Sequence, residues 1–306
     1  MGFVASKCGF YILDIAHYSL YTIIKTVIKG AKKMSKIKDI KDTRENKAEL
    51  DKQREYSVVK ANDLIQKTRF DLTAQEQKII LYMISKIKPD DDDFMIQNFS
   101  ISEFCRVCGI DYNSGGNYEY IKRTIQNLRD KSFWIKIDKT KILMSWINSA
   151  HITEKSGTIK IRLSEDMKPF LLHLRDNFTQ YELIYTLGMR SQYSIRLYEI
   201  LKSYAYQRVK TFDIDELKSI LSAEKYTRFP DFKKDVLEIA LRDINDLTDI
   251  EVDYTIIKVG RRYAKIEFNI EYKRDREKQI ETVLNIKQKI TKIPRTRKNK
   301  TSETLE

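Results

Sequence analysis

The stretch Tyr226-Thr-Arg-Phe-Pro-Asp-Phe-Lys-Lys-Asp-Val-Leu-Glu-Ile-Ala-Leu-Arg-Asp-Ile-Asn245 decides the fold. Pro230 opens it, and proline suits the first turn of a helix because an N–H there has no intrahelical partner to lose. On a helical wheel Phe232, Val236, Leu237, Ala240, Leu241 and Ile244 share one broad face. Asp231, Lys234, Asp235, Glu238 and Arg242 point the other way. The stretch is therefore a helix laid on a core, with a mixed-charge outer face to be accounted for.

Working outward, the strands Glu251–Lys258 and Ala264–Tyr272 follow, joined at Gly260-Arg261-Arg262. Before the stretch come a helix over Tyr193–Tyr204 and a strand running into a short helix over Phe212–Leu221. Helix, short helix, helix and hairpin make a winged helix. The same order occurs earlier in the chain. Leu72–Ile87 reads as a strong helix with a Thr73-x-x-Glu76 capping box. Phe99–Gly109 reads as a strand entering a short helix, and Tyr118–Arg129 as a helix. Phe133–Asp138 and Ile142–Ile152 alternate like strands, with Gly157 turning into Thr158–Leu163.

The two runs align. Leu81-Tyr-Met-Ile84 lies over Leu197-Tyr-Glu-Ile200, an offset of 197 − 81 = 116. Phe99-Ser-Ile-Ser-Glu103 lies over Phe212-Asp-Ile-Asp-Glu216 at 212 − 99 = 113, and Ile121-Lys-Arg123 over Phe232-Lys-Lys234 at 232 − 121 = 111. Three matches in order, drifting only where loops intervene, indicate a duplication. The expected class is α+β, two tandem winged-helix (helix-turn-helix) domains related by internal duplication.

The 306 residues suffice for two domains that each bury a core. Lys+Arg 57 against Asp+Glu 44 gives a formal net charge of +13, so the molecule attracts polyanions. Nucleic acid is the expected partner, with an anionic membrane surface as the alternative. Cys8, Cys105 and Cys108 cannot build a disulfide framework and suit a reducing, cytoplasmic setting. Cys105 and Cys108 have no second Cys or His pair at ligand spacing, so no metal and no cofactor is expected. No enzyme is expected either. His17, His151 and His173 form no His-x-His pair such as a DNA-nicking tyrosine enzyme uses, and no phosphate-binding Gly-x4-Gly-Lys-Ser/Thr loop is present.

Residues 1–33 are apolar but interrupted by Asp14, His17 and Lys25, short of the roughly 20 clean apolar residues of a membrane span. Lys29-Gly30-Ala31-Lys32-Lys33-Met34 can be encoded by a purine-rich ribosome-binding sequence ahead of a start codon. Met34 is accordingly expected as the biological start and 1–33 as a non-native leader or a disordered segment; an interfacial amphipathic helix is the alternative. Residues 34–56 read as a flexible charged arm, 57–172 as the first winged-helix domain, 173–273 as the second, and 274–306 as a charged helix with a basic tail.

Tyr193-Ser-Ile-Arg-Leu-Tyr-Glu-Ile-Leu-Lys-Ser-Tyr204, Tyr226–Lys234, Ile244-Asn245 and Lys258-Val-Gly-Arg-Arg262 resemble the iteron-binding Rep family of plasmid replication initiators. Asn62-Asp-Leu-Ile65 and Leu72-Thr-x-x-Glu-Gln77 resemble that family's amino-terminal domain, so the likeness covers about residues 57 to 273. The resemblance implies a non-enzymatic initiator that binds origin direct repeats in double-stranded DNA. It implies a second domain that reads the major groove, and a first domain for dimerisation and backbone contacts. It also implies a homodimer in exchange with monomer, repression of its own promoter at an operator inverted repeat, and host initiator and helicase partners. A winged-helix transcriptional repressor without initiator activity is the alternative.

In a helix-turn-helix, the amino-terminal part of the second helix meets base edges while basic loops hold phosphates. Position places Arg228, Lys233 and Lys234 at or before that end, and the resemblance implies base contacts around Arg228, Asp231, Lys234 and Asp235; Lys258, Arg261 and Arg262 are the expected wing contacts. Lys122 and Arg123 would touch backbone from the first domain, unless they are only a solvated helical face. Relatives in the resembled family carry a longer basic run after Asp-Phe, whereas Asp235 stands at its third position here. Two readings of Asp235 stay open: acceptance from a cytosine amino group, or a carboxylate favoured by the helix dipole.

Overall fold

The computed structural model of the chain describes residues 56–87, 91, 97–108, 116–153 and 157–291. The expected leader over 1–33, the arm up to residue 55, the end of the short helix at Gly109, and the basic tail beyond Thr291 lie outside the described residues.

In the first half, β1 (Ser57–Ala61), α1 (Asn62–Gln66) and β2 (Thr68–Arg69) lead into α2 (Ala74–Ile84). The Thr73 hydroxyl accepts from the Glu76 N–H and the Glu76 carboxylate accepts from the Thr73 N–H at 2.7 Å, so the predicted capping box is formed. β3 (Gln97–Ser100), α3 (Ile101–Cys108) and α4 (Gly116–Asp130) follow. Cys105 and Cys108 are buried on the core side of α3. The strands are β4 (Ser132–Ile137), β5 (Thr140–Ser145), β6 (Ile147–Thr153) and β7 (Thr158–Leu163).

The continuous strand expected over Ile142–Ile152 is in fact two. The break falls at Trp146, whose buried ring packs at 4.4 Å from Phe133 and edge-on at 5.0 Å from Phe70. β5 pairs with β4 in a sheet ordered β2-β4-β5, whereas β6 pairs with β7 in a sheet ordered β3-β7-β6. Alternation lapses at Trp146-Ile147 and Asn148-Ser149, but a local lapse does not say that the next strand joins another sheet, so periodicity alone cannot detect the change.

α5 (Lys168–Leu171) leads to β8 (Phe178–Glu182), which pairs antiparallel with β1. Then come α6 (Ile184–Leu187) and α7 (Gln192–Tyr204). The second half continues with β9 (Val209–Asp213), α8 (Ile214–Ile220), α9 (Phe229–Phe232), a π-turn (Lys233–Leu237) and α10 (Glu238–Leu247). β10 (Ile250–Val259), β11 (Arg262–Tyr272) and α11 (Arg276–Thr291) complete the described residues. Its sheet is ordered β10-β11-β9. That topology is the first half's β6-β7-β3 repeated: in each, the strand before the short helix pairs with the far strand of the hairpin. The duplication therefore holds for strand pairing as well as for element order.

Apolar side chains from both halves join one buried core. The junction also carries buried charge. The Arg196 guanidinium on α7 donates to the carbonyls of Ile65 and Thr68 at 2.7 and 3.0 Å and lies 4.4 Å over the Phe70 ring. Burial pulls it down to about 10, against the pull of Glu199 in the other direction. Lys60 forms a buried ion pair with Glu199, which also accepts from the Tyr181 hydroxyl. Lys78 donates to the Leu187 carbonyl at 2.7 Å, and burial lowers its pKa. A buried charge left without its partner is expensive, so these bonds set one orientation of α7 against α1 and β1, and of α2 against α6.

Candidate nucleic-acid interface

Phe232, Val236, Leu237, Ala240, Leu241 and Ile244 are all buried, as the wheel predicts. They anchor the helical run from Phe229 to Leu247, whose exposed side carries the candidate residues. Arg228 is its N-cap, with Pro230 one residue inside the helix. The wing tip approaches the same end. Tyr263 stacks on Phe229 with ring centroids 4.5 Å apart and planes at 28°, and the Lys258 ammonium lies 4.7 Å from the Tyr263 ring.

A register shift between Ile257 and Lys258 sets Lys258 opposite Tyr263 in the hairpin. Such bulges re-aim side chains. Gly260 has φ +62°, in the left-handed region, and nothing lies within 4 Å of where its Cβ would stand. Conformation rather than space requires glycine there.

The ten predicted residues fall into two groups by position. Arg228, Asp231, Lys233, Lys234, Asp235, Lys258, Arg261 and Arg262 belong to the helix start and the wing of the second half. Lys122 and Arg123 lie on the exposed side of α4 in the first half. Several are already ion-paired within the protein. Arg228 meets Asp231 at 3.6 Å, Lys233 meets Glu238 at 3.4 Å, Arg262 meets Asp215 at 3.1 Å, and Lys122 meets Glu119 at 3.9 Å.

Tyr254, and then Glu238, hold the Lys233 ammonium above the ordinary lysine value. Lys234, Asp235 and Arg261 make no ion pair with a described residue and are exposed. Exposed pairs of this kind are worth only about 0–1 kcal/mol, so a phosphate can displace the carboxylate at modest cost. Phe229, Tyr263 and Asp215 were not among the predicted residues. Their part is to place the wing, and only the hairpin register reveals that Tyr263 reaches Phe229.

Residues 57–202 match the family model described as "Initiator Replication protein, WH1", and residues 213–270 match "Initiator Rep protein, WH2". The chain belongs to the initiator Rep family. Among curated proteins this initiator Rep chain is similar to a "Replication initiation protein" of Escherichia coli, 26% identical over 257 residues, covering 79% of this chain and 78% of the relative. It is also similar to the "PI protein" of Escherichia coli, 32% identical over 131 residues, 37% of this chain and 43% of that protein.

Two tandem winged helices are thus present, and the family is one of DNA-binding replication initiators. The first match takes in most of α7, which touches both halves. No catalytic enzyme family is indicated by these matches. Among the described residues, no group of His, Cys, Asp and Glu is arranged to hold a metal ion, and no helix is long and apolar enough to cross a membrane.

Proposed function

We propose that this initiator Rep protein binds direct repeats (iterons) in double-stranded DNA at a plasmid origin and thereby starts replication. The observation that carries the reading is the convergence of the exposed Lys234 and Asp235 with a wing tip bearing Lys258, Arg261 and Arg262, held to the helix start by the Phe229–Tyr263 stack. The helix start would enter the major groove, with Arg228, Asp231, Lys233, Lys234 and Asp235 around the base edges. The wing residues would hold the backbone.

In this reading residues 173–273 recognise the repeat. Residues 57–172 support a homodimer in exchange with monomer and add backbone contacts through Lys122 and Arg123. The dimer represses its own promoter at an operator inverted repeat, and the bound monomer recruits host initiator and helicase proteins. The protein works in the bacterial cytoplasm and uses binding energy rather than catalysis.

The test is binding to repeat-bearing and scrambled duplexes over a salt series. Lys234→Ala should reduce discrimination between the two by about 1–3 kcal/mol. Arg261→Ala should weaken both and lower the salt slope by about 1. Equal affinity of the parent protein for both duplexes would defeat the reading. A chain that binds repeats yet cannot maintain a plasmid carrying them as its only origin would be a repressor without initiator activity.

A further inference from the structure

The helix that carries the candidate base contacts is not regular. Lys233–Leu237 form a π-turn in which the Glu238 N–H donates to the Lys233 carbonyl five residues back. The Lys233–Glu238 ion pair has the same five-residue spacing, whereas neighbours on an α-helix are three or four apart.

The first half shows what a regular version looks like. On α4 the buried positions are Ile121, Thr124, Ile125 and Leu128, in the α-helical spacing of three, four and seven. The corresponding buried positions in the second half are Phe232, Val236, Leu237 and Ala240, spaced by four, five and eight. Ile121 lies under Phe232 at an offset of 232 − 121 = 111, but Thr124 lies under Val236 at 236 − 124 = 112 and Leu128 under Ala240 at 240 − 128 = 112. One residue more stands between the first buried position and the next pair.

In an α-helix, at about 100° per residue, that residue would set Leu237 roughly 140° from Phe232, towards the far side of the broad apolar face, instead of about 40° away as Ile125 is from Ile121. The wider π-turn absorbs it and returns both Val236 and Leu237 to the interior. The surplus appears on the outside, where Lys234 and Asp235 are exposed side by side between Phe232 and Val236.

We infer that the second recognition helix contains a one-residue insertion, kept as a π-turn, that presents Lys234 and Asp235 together to DNA and makes Asp235 a specificity-determining residue. The inference rests on the proposed reading of this helix as the DNA-recognition element. The insertion turns Asp235 outward as an acceptor beside the donor Lys234. A donor and an acceptor on adjacent positions can read a base pair, while the acid adds nothing to phosphate attraction.

The experiment is selection from a randomised duplex library by the full chain, by a variant with Asp235 deleted, and by Asp235→Ala, each also followed by circular dichroism and thermal melting. Deletion should preserve the cooperative melt, because the shortened helix regains the spacing already seen on α4. Its discrimination for the parent's selected motif should fall about tenfold or more, while its affinity for scrambled duplex and its salt slope hold. Asp235→Ala should relax the preferred base at one position of the motif.

A deletion variant that enriches the parent's motif with undiminished discrimination would overturn the inference. So would an Asp235→Ala variant whose affinity for all duplexes changes equally with the motif intact. Loss of the folded state on deletion would overturn the insertion account, and Asp235→Ala would still decide the readout. A parent that enriches no motif would overturn the reading of the helix as a DNA-recognition element, which separates that failure from the others.

Discussion

The two winged helices share one strand order but use their third helices differently. α4 is regular, and in it the buried face repeats without interruption; the second copy carries the π-turn and a wing held by a ring stack. The first copy has instead an added hairpin, β4–β5, that leaves Trp134 and Leu143 exposed and directly opposite each other. Duplication thus preserved the parts that bury a core. The surfaces diverged, because a solvent-facing change rarely costs more than about half a kcal/mol while a buried one commonly does.

The largest break in that comparison should come at the shared anchor of the third helix. Phe232→Ala empties a fully buried ring site next to the π-turn and should cost about 3–5 kcal/mol. Ile121→Val, at the matching site on α4, should cost only about 0.5–1.5 kcal/mol. Urea denaturation of both variants measures the difference, and similar costs would show that the two cores are not equally packed around their third helices.

A smaller contrast concerns the first helices. Thr73 and Glu76 close a reciprocal box at α2, whereas the Ser191 hydroxyl accepts only from Tyr193 N–H at α7. Thr73→Ala should lower stability by about 1 kcal/mol, and Ser191→Ala by less, as read from the shift in melting midpoint. A larger loss at Ser191 would mean that the halves depend on α7 capping more than its single bond indicates.

The smallest effect should be a pH dependence confined to the first half. Burial by itself would raise the Glu103 carboxyl, but the Tyr82 hydroxyl bonded to it at 2.8 Å and the Lys86 ammonium at 3.2 Å outweigh that and hold it below the ordinary glutamate value. A depressed folded-state pKa means that the unfolded chain takes up protons first. The stabilisation is therefore present above the unfolded value, about 4.3, and is lost as pH falls through the lower folded value. Glu103→Gln should remove this part of the acid-side decline in stability, measured by denaturation between neutral and acid pH. An unchanged acid limb would show that the Tyr82 and Lys86 contacts carry no net stabilisation.

Much of the fold is legible residue by residue. The Thr73-x-x-Glu76 box, the apolar stripe from Phe232 to Ile244, the turn at Gly260 and the paired motifs around Phe99 and Phe212 each act over a few neighbours, so local spacing reveals them. Trp146 marks where that ends. Its flanks both read as strand, and only the pairing of β5 with β4 and of β6 with β7 shows that the chain changes sheets. The β1–β8 pair, which joins Ser57–Ala61 to Phe178–Glu182, was likewise not expected, since neither segment signals its partner. At the candidate interface, Lys234 and Arg261 could be singled out by their positions. The Tyr263–Phe229 contact and the inward bonds of Arg196 could not.

By itself the sequence determined two copies of one element order, a basic molecule, and which face of each helix is apolar, because periodicity and capping are local properties of the chain. Tertiary structure alone decided which strands share a sheet and how α7 is locked between the halves. It also decided that Lys233–Leu237 form a π-turn. Those outcomes depend on what each side chain meets across the core, where a buried group must find both space and a partner, and no run of neighbouring residues encodes that.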